Sequence, residues 1–239
     1  MIPKVIHYIW LGKNPTPKVF DKCLKSWQKY CPDYQIKRWD ETNLDLNKYK
    51  FALDAYNAKK YAFASDVFRT DILYNEGGIY LDIDVELIKP IDQILKDADC
   101  VMGFETSNLL NPGLLIASKP KNNDLLNILR SYESLTFDIN NLTNLTVCEI
   151  FSNYYNKLGL EKTNKSQQIK NTFFYNSQYF SPIDVITNKK NITKNTYSIH
   201  WYNASWYNSK QKFKNKLKRF LNTISFGLAG KLYAKIKRG

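Results

Sequence analysis

Histidine is nearly absent from this chain of 239 residues, which has two, His7 and His200. Cysteine is scarce too: Cys23, Cys31, Cys100 and Cys148 form no Cys-x-x-Cys pair, and none lies near a histidine in sequence. The ligand spacings of a zinc site are therefore excluded. Their placement suggests no disulfide framework, and the four read as reduced core residues of a cytosolic protein. No apolar run approaches the roughly 18 residues that a membrane-spanning helix needs. Residues 1–10 are apolar but lack a charged leader and a small-residue cleavage site, which argues against a signal peptide. No internal repeat is present, and no linker sets off a second domain. Acidic residues are missing altogether from 207–239, where ten lysines and arginines fall. Those ten account for most of the formal +13, leaving +3 on residues 1–206.

What is present suffices for a substantial core in one domain: 44% hydrophobic residues and 15% aromatics, with 17 tyrosines. The expected organisation is a globular domain over 1–206 and a basic amphipathic tail over 207–239. In the tail Phe213, Leu217, Phe220, Leu221 and Ile224 recur at helical spacing among the lysines.

The chain is organised around Gly77-Gly78-Ile79-Tyr80-Leu81-Asp82-Ile83-Asp84. Residues i and i+2 of an extended strand share a side, so extended geometry carried to Asp84 would aim both carboxylates at one point. Two bare carboxylates there would repel and resist ionisation, and a divalent cation between them removes the conflict. Hard oxygen ligands suit Mg²⁺ or Mn²⁺, which commonly carry phosphate oxygens as well. An Asp-x-Asp tripeptide alone is common on loops and strand ends, so the surrounding chain must narrow its meaning.

Residues 5–11 read as a buried strand. Thr16-Pro17 opens a helix, with Thr16 as N-cap and Pro17 at the first helical position. Phe20, Cys23, Leu24 and Trp27 form its buried face, and residues 34–39 make a second strand. Strand, helix, strand predicts a parallel pair in an α/β domain. Residues 51–60 and 62–76 read as helices, the latter capped by the glycine pair. Asp66 and Arg69 share a face of it and, on spacing alone, read as a surface i,i+3 ion pair. Residues 79–81 are a strand that 85–88 extends. Further strands fall at 100–104, 114–118, 173–175 and 197–201, and helices at 91–95, 124–132 and 146–158. Between 105 and 113 lies a polar loop.

Four ordered blocks then carry a resemblance: residues 2–10 with Trp10, residues 64–69 with Asp66 and Arg69, the run 77–84, and His200-Trp201-Tyr202-Asn203-Ala204-Ser205-Trp206. Together the chain resembles glycosyltransferase family 32, the Asp-x-Asp sugar transferases of surface polysaccharide and fungal mannan synthesis. More distantly it is similar to the glucosyltransferase domain of the large clostridial toxins. The resemblance implies a GT-A type nucleotide-sugar-binding fold, a central mixed, mostly parallel sheet flanked by helices. It also implies Mn²⁺ (or Mg²⁺), a retaining outcome, a nucleotide-sugar donor with uridine favoured, and a glycan or lipid-linked glycan acceptor. Position by position, Trp10 matches the tryptophan that stacks on the base; its plainer reading is a core residue at a strand end. Asp66 and Arg69 match residues holding the donor sugar, with Arg69 also near the phosphates. Gly78 and Tyr80 fall in the donor-binding run, the direction of Tyr80 being left open by alternation. Asp82 matches the carboxylate near ribose and sugar, and Asp84 the direct metal ligand. Either His200 or Ser205 would complete the metal shell, and Trp206 would either close over the diphosphate or merely pack. His7, inside the first strand, reads as a hydrogen-bonded structural residue.

Two other classes compete with an enzyme. An inactive sugar-binding module is disfavoured by the intact Asp82 and Asp84. A nucleic-acid-binding protein is disfavoured by the near-neutral body and the lack of a recognisable motif. The tail reads as an anchor on anionic lipid, which would hold a cytoplasmic protein peripherally on the inner membrane face.

Overall fold

The structure is a computed structural model that describes residues 1–106, 108–183 and 189–202. In chain order its elements are β1 (Val5–Ile9), α1 (Lys18–Tyr30), β2 (Gln35–Trp39), α2 (Lys50–Asn57), α3 (Tyr61–Glu76), β3 (Gly78–Tyr80), β4 (Val85–Leu87), α4 (Asp92–Leu95), β5 (Cys100–Thr106), β6 (Leu109–Leu110), β7 (Ile116–Ser118), α5 (Asn123–Ser134), α6 (Val147–Lys157), β8 (Gln167–Ile169), β9 (Thr172–Tyr175), α7 (Ser177–Phe180) and β10 (Ser198–His200).

The main sheet has the order β2-β1-β3-β7-β5-β9-β8, with β6 pairing off β5. β1 lies parallel to both β2 and β3, and β5 parallel to β9, while β6, β7 and β8 run the opposite way. The expected mixed, mostly parallel sheet is therefore present. Its strands feed two cores by strict alternation. In β5, Cys100, Met102 and Phe104 join α2, α3, α5 and α6 on one face. Val101 points the other way, to α1, α4 and α7. Helices thus cover both faces, as buried parallel strands require.

α1 forms as its periodicity predicts, burying Phe20, Cys23 and Trp27. Its N-cap is Pro17 and not Thr16, and no side chain caps it. Proline supplies a fixed φ and has no amide to satisfy, so it stands at the boundary without a capping hydroxyl. The helix does more than cover the sheet. Trp27 is fully buried, and its Nε1 donates to the Val85 carbonyl at 2.8 Å, while Ser26 Oγ accepts from the Leu87 amide at 2.9 Å.

At the end of α3 the chain turns sharply into β3. Gly77 and Gly78 both have positive φ, 67° and 95°. A Cβ on Gly77 would sit 2.7 Å from Pro120, and one on Gly78 2.9 Å from His7 Nε2. Only glycine fits this pair, for backbone and for space. β3 then ends at Tyr80, and Leu81 to Asp84 leave extended geometry through a turn in which the Val85 amide bonds the Asp82 carbonyl at 3.0 Å. β4 does not extend β3 as the sequence suggested. It departs to form a separate two-stranded sheet, antiparallel to β10. Cys23, Cys31 and Cys100 are buried, Cys148 is half-buried, and all four are free thiols.

Candidate active site

The carboxyl ends of adjacent parallel strands are where an open α/β sheet leaves a crevice. β1 and β3 are such neighbours, in the register Ile6↔Ile79 and His7↔Tyr80. Trp10 follows β1 directly and Asp82 follows β3. Trp10 is half-buried, and its Nε1 donates to the Asn14 carbonyl at 2.6 Å, which fixes the ring over the loop after β1.

Asp82, Asp84 and His200 converge, offering ligand atoms that lie within 4.8 Å of one another. The turn after β3, rather than strand alternation, brings the two carboxylates together. His200 arrives from the far end of the chain, opposite Val85 in the β4–β10 ladder, with Nε2 3.0 Å from Asp84 Oδ1. Burial works against a charge on His200, but Asp84, with Asp82 and Glu105 behind it, raises its pKa above the usual imidazole value. His200 Nδ1 is buried with no hydrogen-bond partner among the described residues. Two carboxylates and one imidazole fit Mn²⁺ well and Mg²⁺ acceptably, so this donor set agrees with the implied cation.

Arg69 and Asp66 form a second cluster, and not the surface pair that spacing alone suggested. Their side chains are 4% and 9% exposed, with Arg69 Nη2 2.8 Å from Asp66 Oδ1. The same nitrogen is 3.3 Å from Asp82 Oδ1, which also accepts from the Tyr80 hydroxyl at 3.1 Å. Tyr80 and Asp82 are thus the i,i+2 pair that shares a side, which settles the direction of Tyr80. The guanidinium lies over the Tyr80 ring, 4.5 Å from its centroid. α3 is buried along much of its surface here, with Phe63, Val67, Phe68, Ile72 and Leu73 in the core it shares with α2, α5 and α6. Burial opposes the Arg69 charge, but Asp82, Tyr80 and Asp66 hold it protonated. Burial likewise pushes the Asp66 carboxyl up, against the pull of Arg69. Arg69 Nε and Nη1 are buried donors with no acceptor among the described residues. Stranded guanidinium donors beside a candidate cation site suit an anionic ligand.

Gly78 stands apart from this group, at the opposite end of β3, wedged between β1 and β7. Its work is to let the strand start. Ser205 and Trp206 lie outside the described residues, as does the 207–239 tail. His7 is structural as expected: its Nδ1 accepts from Trp39 Nε1 at 3.1 Å, and its Nε2–H donates to the Gly77 carbonyl at 3.0 Å.

The loop after β5 contributes more than the sequence revealed. It carries the short strand β6 and returns to the site, where the Asp82 amide donates to the Gly113 carbonyl at 3.1 Å. A Cβ on Gly113 would overlap Asp82 Oδ2. Asn111 holds the loop by accepting from the Gly113 amide at 2.7 Å and donating to Glu105 Oε2 at 3.1 Å. Glu105 also reaches the Tyr202 hydroxyl. Asn111-Pro112-Gly113 is a turn signal, but nothing in the sequence ties it to Asp82.

Residues 17–101 match the family described as a glycosyltransferase sugar-binding region containing a DXD motif. The resemblance read from the sequence therefore holds. Inositol phosphoceramide mannosyltransferase 3 of Schizosaccharomyces pombe is 35% identical over 114 residues, 46% of this chain and 32% of that protein. The chain spans about a third of the length of the mannosyltransferases it matches first. An uncharacterised glycosyltransferase, L373, of Acanthamoeba polyphaga mimivirus is 25% identical over 216 residues, 86% of this chain and 84% of that one. Among solved structures, the PaToxG glycosyltransferase superposes with a TM-score of 0.52 at 19% identity, covering 66% of this chain and 70% of that one. With the sheet described above, that likeness makes the fold GT-A.

Proposed function

We propose that the chain is a metal-dependent, retaining glycosyltransferase. It moves a sugar from a nucleoside diphosphate sugar to a glycan or lipid-linked glycan acceptor in surface polysaccharide synthesis. The observation that supports this is one cluster: Asp82, Asp84 and His200 converging beside the buried Arg69–Asp66 pair, one strand from Trp10. Asp82, Asp84 and His200 would hold the divalent cation, which supplies positive charge to the departing diphosphate.

The chain's own groups do the remaining work. Arg69 offers Nε and Nη1 to phosphate oxygens, and these bonds strengthen as negative charge grows on the leaving group. Asp66, Asp82 and Tyr80 already fix the orientation of the guanidinium, so its charge is in place before the leaving group departs. Asp66 also presents a carboxylate to the donor sugar, and Trp10 a flat ring to the base. The acceptor meets the loop of residues 105–113. From the sequence, Ser205 is the alternative ligand and Trp206 the closing residue. A uridine donor is favoured by the resemblance, and the mannosyltransferase names among the relatives put mannose beside it.

The test is turnover. With Mn²⁺ and a panel of UDP- and GDP-sugars, free nucleoside diphosphate should be released from one donor. In Asp84→Asn release should fall about 10²-fold or more, with an unchanged circular dichroism spectrum and melting temperature. An Asp84→Asn protein that turns over normally would count against the cation site.

A further inference from the structure

Among the described residues, Asp82 and Asp84 follow a strand of the main sheet, whereas the third candidate ligand, His200, does not. It sits at the end of β10, a three-residue strand that, among the described residues, pairs with the three residues of β4. A two-stranded ribbon that short does not hold itself in place in water. On the β4 side the anchor is α1, through the Trp27 and Ser26 hydrogen bonds. On the β10 side α7 packs against the strand's start, with the Tyr197 amide donating to the Tyr179 carbonyl at 2.8 Å, and Trp201, the next residue after His200, holds its far end.

Trp201 is tied at three points. Its amide donates to the Asp84 carbonyl at 3.0 Å. Its indole Nε1 donates to Glu86 Oε2 at 2.9 Å, and the Glu86 side chain is 16% exposed. The ammonium groups of Lys22 and Lys190 lie 4.4 and 4.3 Å from the centroid of the indole ring. Lys22, on α1, also pairs with Glu86 Oε2 at 2.7 Å. One carboxylate therefore ties helix, β4 and the residue beside His200 into a single unit. The two lysines sit over the indole and one of them also pairs with the largely buried Glu86 carboxylate, so several modest contacts act on one ring.

We infer that Trp201, anchored on Glu86, is a positioning residue for the cation site: it holds His200 at ligand distance from Asp84. The inference rests on the metal reading above. Trp201 carries no metal-ligating atom and its indole Nε1 is spent on Glu86, so its effect should show in metal affinity and in nitrogen ligation, and not only in turnover.

The experiment uses the full chain stripped of metal and titrated with Mn²⁺, following the free-ion electron paramagnetic resonance signal. Electron spin echo modulation then reports a ¹⁴N nucleus bound to the metal. Wild type should bind Mn²⁺ with clear nitrogen modulation. Trp201→Phe should bind about 10-fold more weakly, the scale of a lost outer support, with the modulation reduced. Glu86→Gln keeps the side-chain shape but loses the Lys22 pairing, so it should shift affinity in the same direction, by less, with an unchanged melting temperature. Both variants binding Mn²⁺ as wild type does, with full modulation, would overturn the role of Trp201 while leaving the metal reading intact. A wild-type protein that binds Mn²⁺ without nitrogen modulation would overturn the His200 assignment and the positioning role of Trp201 with it. No Mn²⁺ binding by wild type would overturn the metal reading and, with it, this inference.

Discussion

His7 has no exposed surface, and both its ring nitrogens are used in the neutral form. Burial is the main reason its pKa falls to about 4. In the unfolded chain the value returns to about 6.5. Between pH 6.5 and 4 the unfolded chain takes up a proton that the folded one refuses, so stability rises with pH across that window. The contribution is present in full above pH 6.5, is lost as pH falls, and levels off near pH 4. The lost amount is about 3 kcal/mol. Urea unfolding at a series of pH values should show it as a steeper acid slope in wild type than in His7→Gln. Equal slopes would mean that other groups carry the acid sensitivity. Residues of this kind were legible early: His7, inside an apolar strand, reads as structural from sequence. The burial of Arg69 and Asp66 was not legible, because i,i+3 spacing is the same on a wet face and on a dry one. Tertiary packing decides between them: α5 lies against α3 and brings Tyr132 close to the pair, and the Val147 amide at the start of α6 donates to Asp66.

Among the elements, the strands and helices of the first 90 residues could be read from period and punctuation. The exceptions mark where tertiary pairing overrides local pattern. Residues 81–88 look like one extended run. The chain instead turns at Asp82–Val85, because β4 gains a partner in β10 and a clamp in α1 that β3 could not supply. The 105–113 loop is the other exception. It reads as polar connection, yet Gly113 leaves the space into which the Asp82 carboxylate fits. Gly113 has an ordinary backbone conformation, so Gly113→Ala should be tolerated by the main chain. Its methyl should displace Asp82. Turnover is expected to fall about 10-fold or more, with less than about 1 kcal/mol lost in stability. Steady-state kinetics beside denaturant unfolding separates the two. Loss of both together would show that the loop is needed for folding and not for placing Asp82.

At the scale of the whole molecule, charge and chemistry occupy different parts of the chain. Residues 1–206 carry +3, and the excess lies in 207–239. As an anchor on anionic lipid, that segment should make the full chain sediment with phosphatidylserine-containing liposomes at low salt and be released as salt rises, while a chain ending at 206 should stay in the supernatant. Equal pelleting of both would remove the anchor. Among the described residues no helix is long and apolar enough to cross a membrane. The three candidate ligands are likewise divided. Asp82 and Asp84 lie within the matched region of residues 17–101, whereas His200 comes about a hundred residues beyond it. Drift in the later stretch can exchange the imidazole for another donor, or slacken the ribbon that carries it, without disturbing the arginine and carboxylates upstream. On the proposed reading, the donor that completes the cation's shell can therefore evolve separately from the arginine and carboxylates of the upstream cluster.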